Sequence, residues 1–251
     1  MEPTTLLFLV AAAFVAAFVD SIVGGGGLIT LPALLATGMP AHQALGTNKL
    51  AATGASGMAS LQYVRHGVVV GRLVLVWVPF SLGGSALGAA TVLQVPGDWV
   101  RGLVLVVMAA MAAFVLLRPR FGQADRVGAV GGRLVAGGAL LAFVVGFYDG
   151  FLGPGTGSFL LFGLVGLGFG FLRAAGQGRV LNFASNLSAL VYFALRGQVD
   201  YAVGLPMMGA MVTGGYAGSR FGIRHGVKWI RPLFLGMTLA LMARLAWDFF
   251  R

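Results

Sequence analysis

Eight apolar stretches, each long enough to cross a lipid bilayer, follow one another along this chain of 251 residues. A transmembrane helix needs about 20 consecutive apolar residues, and the stretches that approach or exceed this length occupy residues 4–23, 43–64, 68–93, 99–117, 129–152, 178–195, 199–219 and 229–250. Charged residues make up only 10% of the chain, whereas soluble domains carry about 25%. The apolar content also excludes intrinsic disorder. The sequence therefore predicts an all-α polytopic membrane protein.

Two glycine-rich breaks interrupt the apolar pattern. The first, DSIVGGGG, runs from Asp20 to Gly27, and the second, DGFLGPGTG, runs from Asp149 to Gly157. Gly costs about 1 kcal/mol and Pro about 3 kcal/mol in a helix interior, so no undisturbed helix continues through either break. A shorter apolar piece follows each break, at 28–37 and at 158–172. We expect about eight long transmembrane helices, plus two short helices that begin after the breaks.

The two halves of the chain resemble each other. FVDSIVGGGG (18–27) aligns with FYDGFLGPGT (147–156) at a shift of 129, and WVRGLVL (99–105) aligns with WIRPLFL (229–235) at a shift of 130. An internal duplication explains why the matches fall in order at a nearly constant shift. Duplicated membrane chains with broken helices are a recurring transporter design, in which the repeats meet at the substrate site. The predicted division is a first repeat (1–118), a basic cytoplasmic linker (119–128) and a second repeat (129–251).

The distribution of Lys and Arg indicates the orientation. If only the eight long stretches cross the membrane, the loops on one side hold 9 basic residues in total and those on the other side hold 7. This difference shows no charge bias between the two sides. If the two short pieces also cross, even partly, the tally becomes 12 against 4, as the positive-inside rule requires. Each half then has five crossings, so the repeats have inverted topology and the main basic loops are cytoplasmic. We expect a multi-pass protein of a bacterial-type inner membrane, whose first apolar stretch is a retained helix because it lacks the positive start of a signal peptide.

The net charge of +10 does not indicate a nucleic-acid partner, because the basic residues lie in short loops rather than on one face. The chain has no cysteine, so no disulfide, thiol nucleophile or thiolate metal site is expected. Its three histidines, His42, His66 and His225, lie far apart without metal-ligand spacing. No nucleophile motif or phosphate-binding loop is present, so we expect no enzyme, no metal and no cofactor.

Two aspartates lie at the ends of apolar stretches, directly before the breaks. Asp20 and Asp149 occupy matching positions in the two halves. A charged group in a transmembrane segment often marks a pathway or a coupling site. The alternative is structural, because a carboxylate there can cap the free N–H groups of the next helix. The sequence leaves coupling and structural capping open for both residues.

The glycine clusters themselves suit a small anion. A glycine-rich turn that opens a helix presents free N–H groups at the positive end of the helix dipole. The first half supplies Gly25, Gly26 and Gly27, and the second half supplies Gly155, Thr156 and Gly157. Close helix packing is the alternative, since it also favours glycine in membranes. We predict that both clusters bind the substrate anion.

Two basic residues occupy matching positions early in the next helices. Lys49 lies beside Asn48 in a polar stretch, and Arg179 precedes Asn182 and Asn186, which share one helix face because they are spaced i, i+4. A polar stripe within lipid must face protein or water. Two cations at one cavity would bind a small oxyanion. Alternatively, Lys49 and Arg179 pair with Asp149 and Asp20, or extend their charges to the membrane surface.

These motifs resemble the sulfite exporter TauE/SafE family over nearly the whole chain. The similarity is carried by DSIVGGGGLITLPALLATGMPAHQALGTNKL in the first half and by GFYDGFLGPGTGSFLLF and VLNFASNLSALVYFALRGQV in the second. The resemblance implies a secondary transporter of sulfite or organosulfonates, such as sulfoacetate, built from duplicated halves. The chain departs from the family pattern at Arg179, where Lys is usual, and in the preceding AGQG. Because Arg binds an oxyanion through a planar fork, selectivity can differ.

The sequence therefore predicts a secondary transporter in the lipid bilayer that exports small sulfur-containing anions by alternating access. The anion is expected between the two breaks, bound by backbone N–H groups, Lys49 and Arg179 and oriented by the three asparagines. Alternative functions are a carrier of another small anion (carboxylate, sulfate or thiosulfate), a carrier of a neutral sulfur compound, or a non-transporting intramembrane enzyme or assembly factor. A homodimer is compatible with a carrier of this size, although no residue pattern specifies it.

Overall fold

The computed structural model describes residues 2–117 and 131–225, and this part of the chain is entirely helical. Its helices are α1 (Pro3–Val23), α2 (Gly27–Ala36), α3 (Ala41–Arg65), α4 (Gly71–Val92), α5 (Gly97–Leu117), α6 (Gly132–Phe151), α7 (Thr156–Gly166), α8 (Phe171–Leu195) and α9 (Tyr201–His225). The all-α prediction is confirmed for these residues. The predicted linker (119–128) and the last apolar stretch (229–250) lie outside the described residues.

Several helix ends differ from the apolar stretches. The short helix α7 ends at Gly166 rather than 172, because a turn follows in which Gly168 has φ +102°. Helix α8 begins at Phe171, seven residues before the predicted 178, and α9 continues to His225 instead of ending at 219. The apolar stretches did not include these additional helical residues, because polar residues such as Arg173 and Arg224 continue a helix but lower its mean hydropathy.

Three helices of the described part are both long and apolar enough to span a membrane, namely Pro3–Ile22, Gly71–Val92 and Gly132–Phe151. Helices α3, α8 and α9 have 25 residues each, but their polar stretches lower their mean hydropathy. By length and hydropathy, the described helices thus do not reproduce the predicted count of eight transmembrane helices. The short helices α2 and α7 have 10 and 11 residues, so each covers only about 15 Å.

Large apolar side chains face outward and charged ones lie inside. Leu75 and Leu195 are 70% and 79% exposed, whereas the side chains of Lys49 and Asp149 are 1% and 2% exposed. A soluble monomer rarely exposes this much apolar surface, and Lys and Asp are fully buried only where they are paired, as these two are. The described helices therefore present a surface suited to lipid.

Each short helix turns back along the long helix before it. Residues of the first turns of α1, including Thr5 and Phe8, line the same surface depression as Ala36 and Thr37 at the end of α2. In the second hairpin, Gly137 near the start of α6 packs beside Leu167 at the end of α7. The chain reverses at glycines with positive φ: Gly24, Gly25, Gly153 and Gly155. Both short helices are thus the returning arms of helical hairpins.

The two hairpins begin at opposite ends of the helix bundle. We call the end that holds Glu2, the turn at Gly38 and Asp200 the Gly38 end. The opposite end holds the turn at Gly67, and we call it the Gly67 end; Val68 and Val69 there pack beside Gly176, near the start of α8. Helix α6 also starts at the Gly67 end, where the indole nitrogen of Trp77, near the start of α4, donates to the carbonyl of Val135 at 2.9 Å.

Two pairs of parallel helices touch backbone to backbone. Helix α4 packs on α6 through Gly84 and Gly88, and α9 packs on α1 through Gly214 and Gly218. A Cβ at Gly88 would lie 2.0 Å from the Phe147 carbonyl oxygen, and a Cβ at Gly218 would lie 2.1 Å from that of Phe18. Small residues allow helices in membranes to approach this closely. Gly84 and Gly214 are 130 positions apart, as are Gly88 and Gly218.

We predict that Gly88→Ala destabilises the protein by about 1–3 kcal/mol, as overpacking does elsewhere, because the new methyl group would collide with the backbone of α6. Gly83→Ala is the matched control, because a Cβ there meets nothing within 4 Å and alanine favours the helix. Thermal unfolding in detergent measures both. Equal unfolding temperatures for Gly88→Ala and Gly83→Ala would contradict the close packing of α4 on α6.

Candidate functional site

Two buried ion pairs join the halves of the chain. Lys49 Nζ on α3 lies 2.8 Å from Asp149 Oδ1 on α6, and Arg179 Nη1 on α8 lies 2.6 Å from Asp20 Oδ2 on α1. Each base follows one glycine break and pairs with the acid that precedes the other break. The pairing predicted as the alternative to anion binding is therefore present in the structure.

The four side chains lie at matching positions along their helices. Lys49 is the ninth residue of α3, and Arg179 is the ninth residue of α8. Both helices have 25 residues and pack against each other. Asp20 and Asp149 lie in the last turn of α1 and α6, next to the chain reversals. At 1.5 Å per residue, each base lies about 12 Å along its helix.

The carboxylate of Asp20 has a partner for each oxygen. Oδ2 receives Arg179, and Oδ1 accepts the backbone N–H of Gly26 at 2.9 Å. Gly26 is the residue before α2, so Asp20 caps the start of this short helix, which places a negative charge at the positive end of its dipole. One side chain thus fixes both α8 and α2 to α1.

The carboxylate of Asp149 is arranged differently. Its Oδ1 contacts Lys49 and lies 2.7 Å from the hydroxyl oxygen of Thr156, the first residue of α7. The carbonyl oxygen of Gly153 lies at the same distance from this hydroxyl, so the two oxygens share its single proton. Its Oδ2 is buried and has no hydrogen-bond partner in the described part of the chain. The two matching aspartates are therefore not equivalent.

The three asparagines lie around Lys49. Lys49 Nζ donates to Asn186 Oδ1 at 3.3 Å, and Asn186 Nδ2 donates in turn to Asn182 Oδ1 at 3.0 Å. Asn48 Oδ1 accepts the hydroxyl of Thr30 on α2 at 2.6 Å. These contacts connect the polar stripes of α3 and α8 with the first short helix.

The glycine breaks let the two chain reversals and the basic side chains meet. A Cβ at Gly24, which has φ +90°, would lie 2.3 Å from the backbone nitrogen of Ser158, in the opposite half. A Cβ at Gly157 would lie 2.0 Å from Arg179 Nη2, and one at Gly153 would lie 2.8 Å from Lys49 Nζ. Close packing is thus one role of these glycines.

A small cavity lies at the centre of the site. Its volume is about 20 Å³, which holds about one water molecule. Its walls include predicted residues, namely Asp20, Gly26, Gly27, Asn48, Lys49, Asp149, Gly155, Thr156, Gly157, Asn182 and Asn186. Gly25 and Arg179 are not in its wall, although Arg179 contacts Asp20, which is.

Three residues of the wall were missed by sequence reasoning. Ala52 lies on α3 three residues after Lys49, Gly153 lies in the second chain reversal, and Met211 comes from α9. Gly153 could have been found because it lies inside the second break. Ala52 and Met211 carry no polar group, so only the packing of α3 and α9 beside the site identifies them.

We predict that Lys49→Met destabilises the protein by about 3–5 kcal/mol, because it leaves the charge of Asp149 buried without a partner. The double variant Lys49→Met/Asp149→Asn removes both charges and should recover much of this loss. Thermal unfolding of both variants in detergent gives the comparison. A double variant less stable than Lys49→Met alone would contradict a direct ion pair.

Comparison with known proteins agrees with this architecture. The family profile described as "Sulfite exporter TauE/SafE" matches residues 9–245. A "Probable membrane transporter protein ORF9" from Sinorhizobium sp is 42% identical over 244 residues, which cover 97% of this chain and 93% of the relative. A "Probable membrane transporter protein" from Haemophilus influenzae is 39% identical, with 97% and 95% covered, and the "Probable membrane transporter protein YfcA" of Escherichia coli K12 is 37% identical, with 99% and 92% covered.

No solved structure matches the chain with significance. The family profile and these relatives each cover more than nine tenths of the chain. The chain therefore belongs to the sulfite exporter TauE/SafE family.

Proposed function

We propose that this protein is a secondary transporter that exports small sulfur-containing anions, such as sulfite or sulfoacetate, by alternating access. The observation that carries the proposal is the meeting of two broken helices and two ion pairs from opposite halves at one small polar cavity. Charged groups inside a membrane protein mark substrate pathways by default. The relatives' names support transport, and the family description supports sulfite as the type of substrate.

The proposed architecture is a pair of repeats of inverted topology, 1–118 and 129–251, joined by the linker 119–128. Two observations support it. The glycine contacts between α4 and α6 recur between α9 and α1 at positions 130 residues apart. The first hairpin also begins at the Gly38 end and the second at the Gly67 end.

The proposed orientation places the Gly67 end in the cytoplasm of a bacterial-type cell. Helix ends and turns at this end carry Arg65, Arg72, Arg133, Arg173 and Arg224, whereas those at the Gly38 end carry Arg101 and Arg196. This difference has the sign that the positive-inside rule requires. The inside-negative potential, worth about 2.3 kcal/mol per charge per 100 mV, favours movement of an anion out of the cell and supports the proposed export direction.

The proposed anion site is the cavity and its surroundings. Lys49 and Arg179 supply positive charge, the backbone N–H groups of the two glycine clusters supply donors at helix starts, and the asparagine amides orient the anion. Arg179 can contact an anion and Asp20 together, because a guanidinium has five N–H donors. Asp20 and Asp149 neutralise the two bases while the site is empty.

Alternating access explains the small size of the cavity. A volume of about 20 Å³ does not hold a sulfur oxyanion, so the site must open before it can load. A depression of about 710 Å³ opens beside α2 at the Gly38 end and is lined by Glu2, Thr37, Gln43 and Asp200. The other end of α2 borders the cavity. A shift of the α1–α2 hairpin would therefore connect the cavity with this depression. A matching shift of the α6–α7 hairpin would open the opposite path.

We predict that sulfonates or sulfite stabilise the detergent-solubilised protein against heat. A ligand at 100 times its dissociation constant adds about 2.7 kcal/mol of stability. The panel comprises sulfite, sulfoacetate, taurine, thiosulfate, sulfate, acetate and phosphate at equal ionic strength. If only acetate or phosphate stabilised the protein, the substrate would belong to another class of anion. If no anion of the panel raised the unfolding temperature, the result would contradict anion transport.

We predict that Arg179→Ala weakens binding of the stabilising anion by 10-fold or more, on the scale of about 1.5–3 kcal/mol for a hydrogen bond to a charged group. Arg196→Ala is the control, because Arg196 is exposed and lies at the turn after α8. Calorimetric titration of both variants measures the affinities. Unchanged affinity in folded Arg179→Ala would remove this residue from the anion site.

A further inference from the structure

The two aspartates of the site differ in how many of their oxygens are bound. Both oxygens of Asp20 have partners, Gly26 N–H and Arg179. Lys49 and Thr156 both contact Oδ1 of Asp149, whereas Oδ2 has no hydrogen-bond partner among the described residues. Buried carboxylate oxygens are normally hydrogen-bonded. An unpartnered oxygen beside the cavity on a side chain only 2% exposed therefore points to a ligand of its own.

We propose that Asp149 is a proton-binding site and that the anion replaces its carboxylate at Lys49. When the anion binds the ammonium group of Lys49, the contact to Asp149 Oδ1 opens and a proton from the aqueous path binds Asp149 Oδ2. This inference rests on the proposed function, because it assumes that an anion reaches the cavity.

The charges of the step balance. In the empty site, Lys49 is positive and Asp149 is negative. In the loaded site, Lys49 keeps all three protons and faces the anion, while an O–H bond at Oδ2 makes Asp149 neutral. The hydroxyl of Thr156 keeps its acceptor, because Oδ1 stays free of the proton. Without the proton, the displaced carboxylate would be a buried charge with no counter-charge, which is strongly unfavourable.

Among the residues that the structure describes, no other cation near Asp149 can replace Lys49. Helix α7 contributes Thr156, and α8 contributes Asn186, which faces Lys49. Arg179 is held by Asp20 of α1. Tyr148, the neighbour on α6, donates its hydroxyl to the carbonyl of Pro154. Helix α4, packed along α6, has Arg72 in its first turn as its one charged residue.

Asp20 is less suited to this exchange. Its second oxygen caps α2 through Gly26, so protonation would weaken the start of the short helix as well as the ion pair. Its partner Arg179 can also bind an anion without releasing it, since the guanidinium has more donors than the ammonium group of Lys49. The exchange is therefore assigned to the Lys49–Asp149 pair.

The exchange at Lys49 couples transport of the anion to transport of a proton. The carrier crosses loaded with one anion and one proton, and it returns empty with the Lys49–Asp149 pair closed. A divalent anion such as sulfoacetate still moves with one net negative charge, so the inside-negative potential continues to favour its export.

The test is proton uptake on anion binding. Sulfoacetate, which has no group that titrates near neutral pH, is titrated into detergent-solubilised protein by calorimetry in two buffers of different ionisation enthalpy. We expect one proton taken up per anion bound, so the affinity should fall by up to about tenfold per unit of increasing pH, as linkage requires. Binding without proton uptake would overturn this inference and leave the proposed function intact, whereas failure of every anion to bind would overturn both.

Two variants assign the proton to its residue. Asp149→Asn imitates the protonated state, so it should bind sulfoacetate without proton uptake and with an affinity that no longer falls with pH. Asp98→Asn is the control, because Asp98 is exposed in the first turn of α5, and it should keep both properties. Proton uptake that persists in Asp149→Asn would overturn the assignment. If Asp149→Asn does not fold, the wild-type proton count decides the proposal by itself.

Discussion

A charge buried away from water needs a counter-charge, and this requirement determines how the two halves of the protein meet. Removing one member of a buried pair leaves an uncompensated charge that costs several kcal/mol. Here each base finds its acid in the other half, Lys49 with Asp149 and Arg179 with Asp20. The same carboxylates contact the starts of α2 and α7. One set of four side chains therefore fixes both broken helices and both halves at the same point.

Glycine makes this meeting sterically feasible. The two chain reversals contact each other at Gly24 and Gly157, where a Cβ would collide with backbone or with Arg179. Farther along the helices, Gly84 and Gly214 allow α4 to pack on α6 and α9 to pack on α1. In the proposed cycle these tight helix pairs move as units, while the Lys49–Asp149 pair between the halves opens and closes around the anion.

Much of this architecture could be predicted from the sequence. The glycine breaks predicted the starts of α2 and α7 to within two residues, although the predicted end of α7 was six residues too late. The matched acids and bases were recognised as ion-pair candidates. Apolar composition has no direction, so the reversal of each short helix along its predecessor was indicated only by the distribution of Lys and Arg, which obeys the positive-inside rule if the short pieces also cross. Met211 was missed because an apolar residue gives no chemical signal, and the free oxygen of Asp149 depends on the distance between side chains.

The central claim is that the site between the halves carries a sulfur anion across the membrane by alternating access. Counterflow in proteoliposomes tests it most directly, with unlabelled sulfoacetate inside and a trace of labelled sulfoacetate outside. The account predicts a transient accumulation of label above its equilibrium level, recovered chemically unchanged, that is lost in Lys49→Gln. Label that equilibrates without this overshoot, or that enters no faster than into protein-free liposomes, would contradict it.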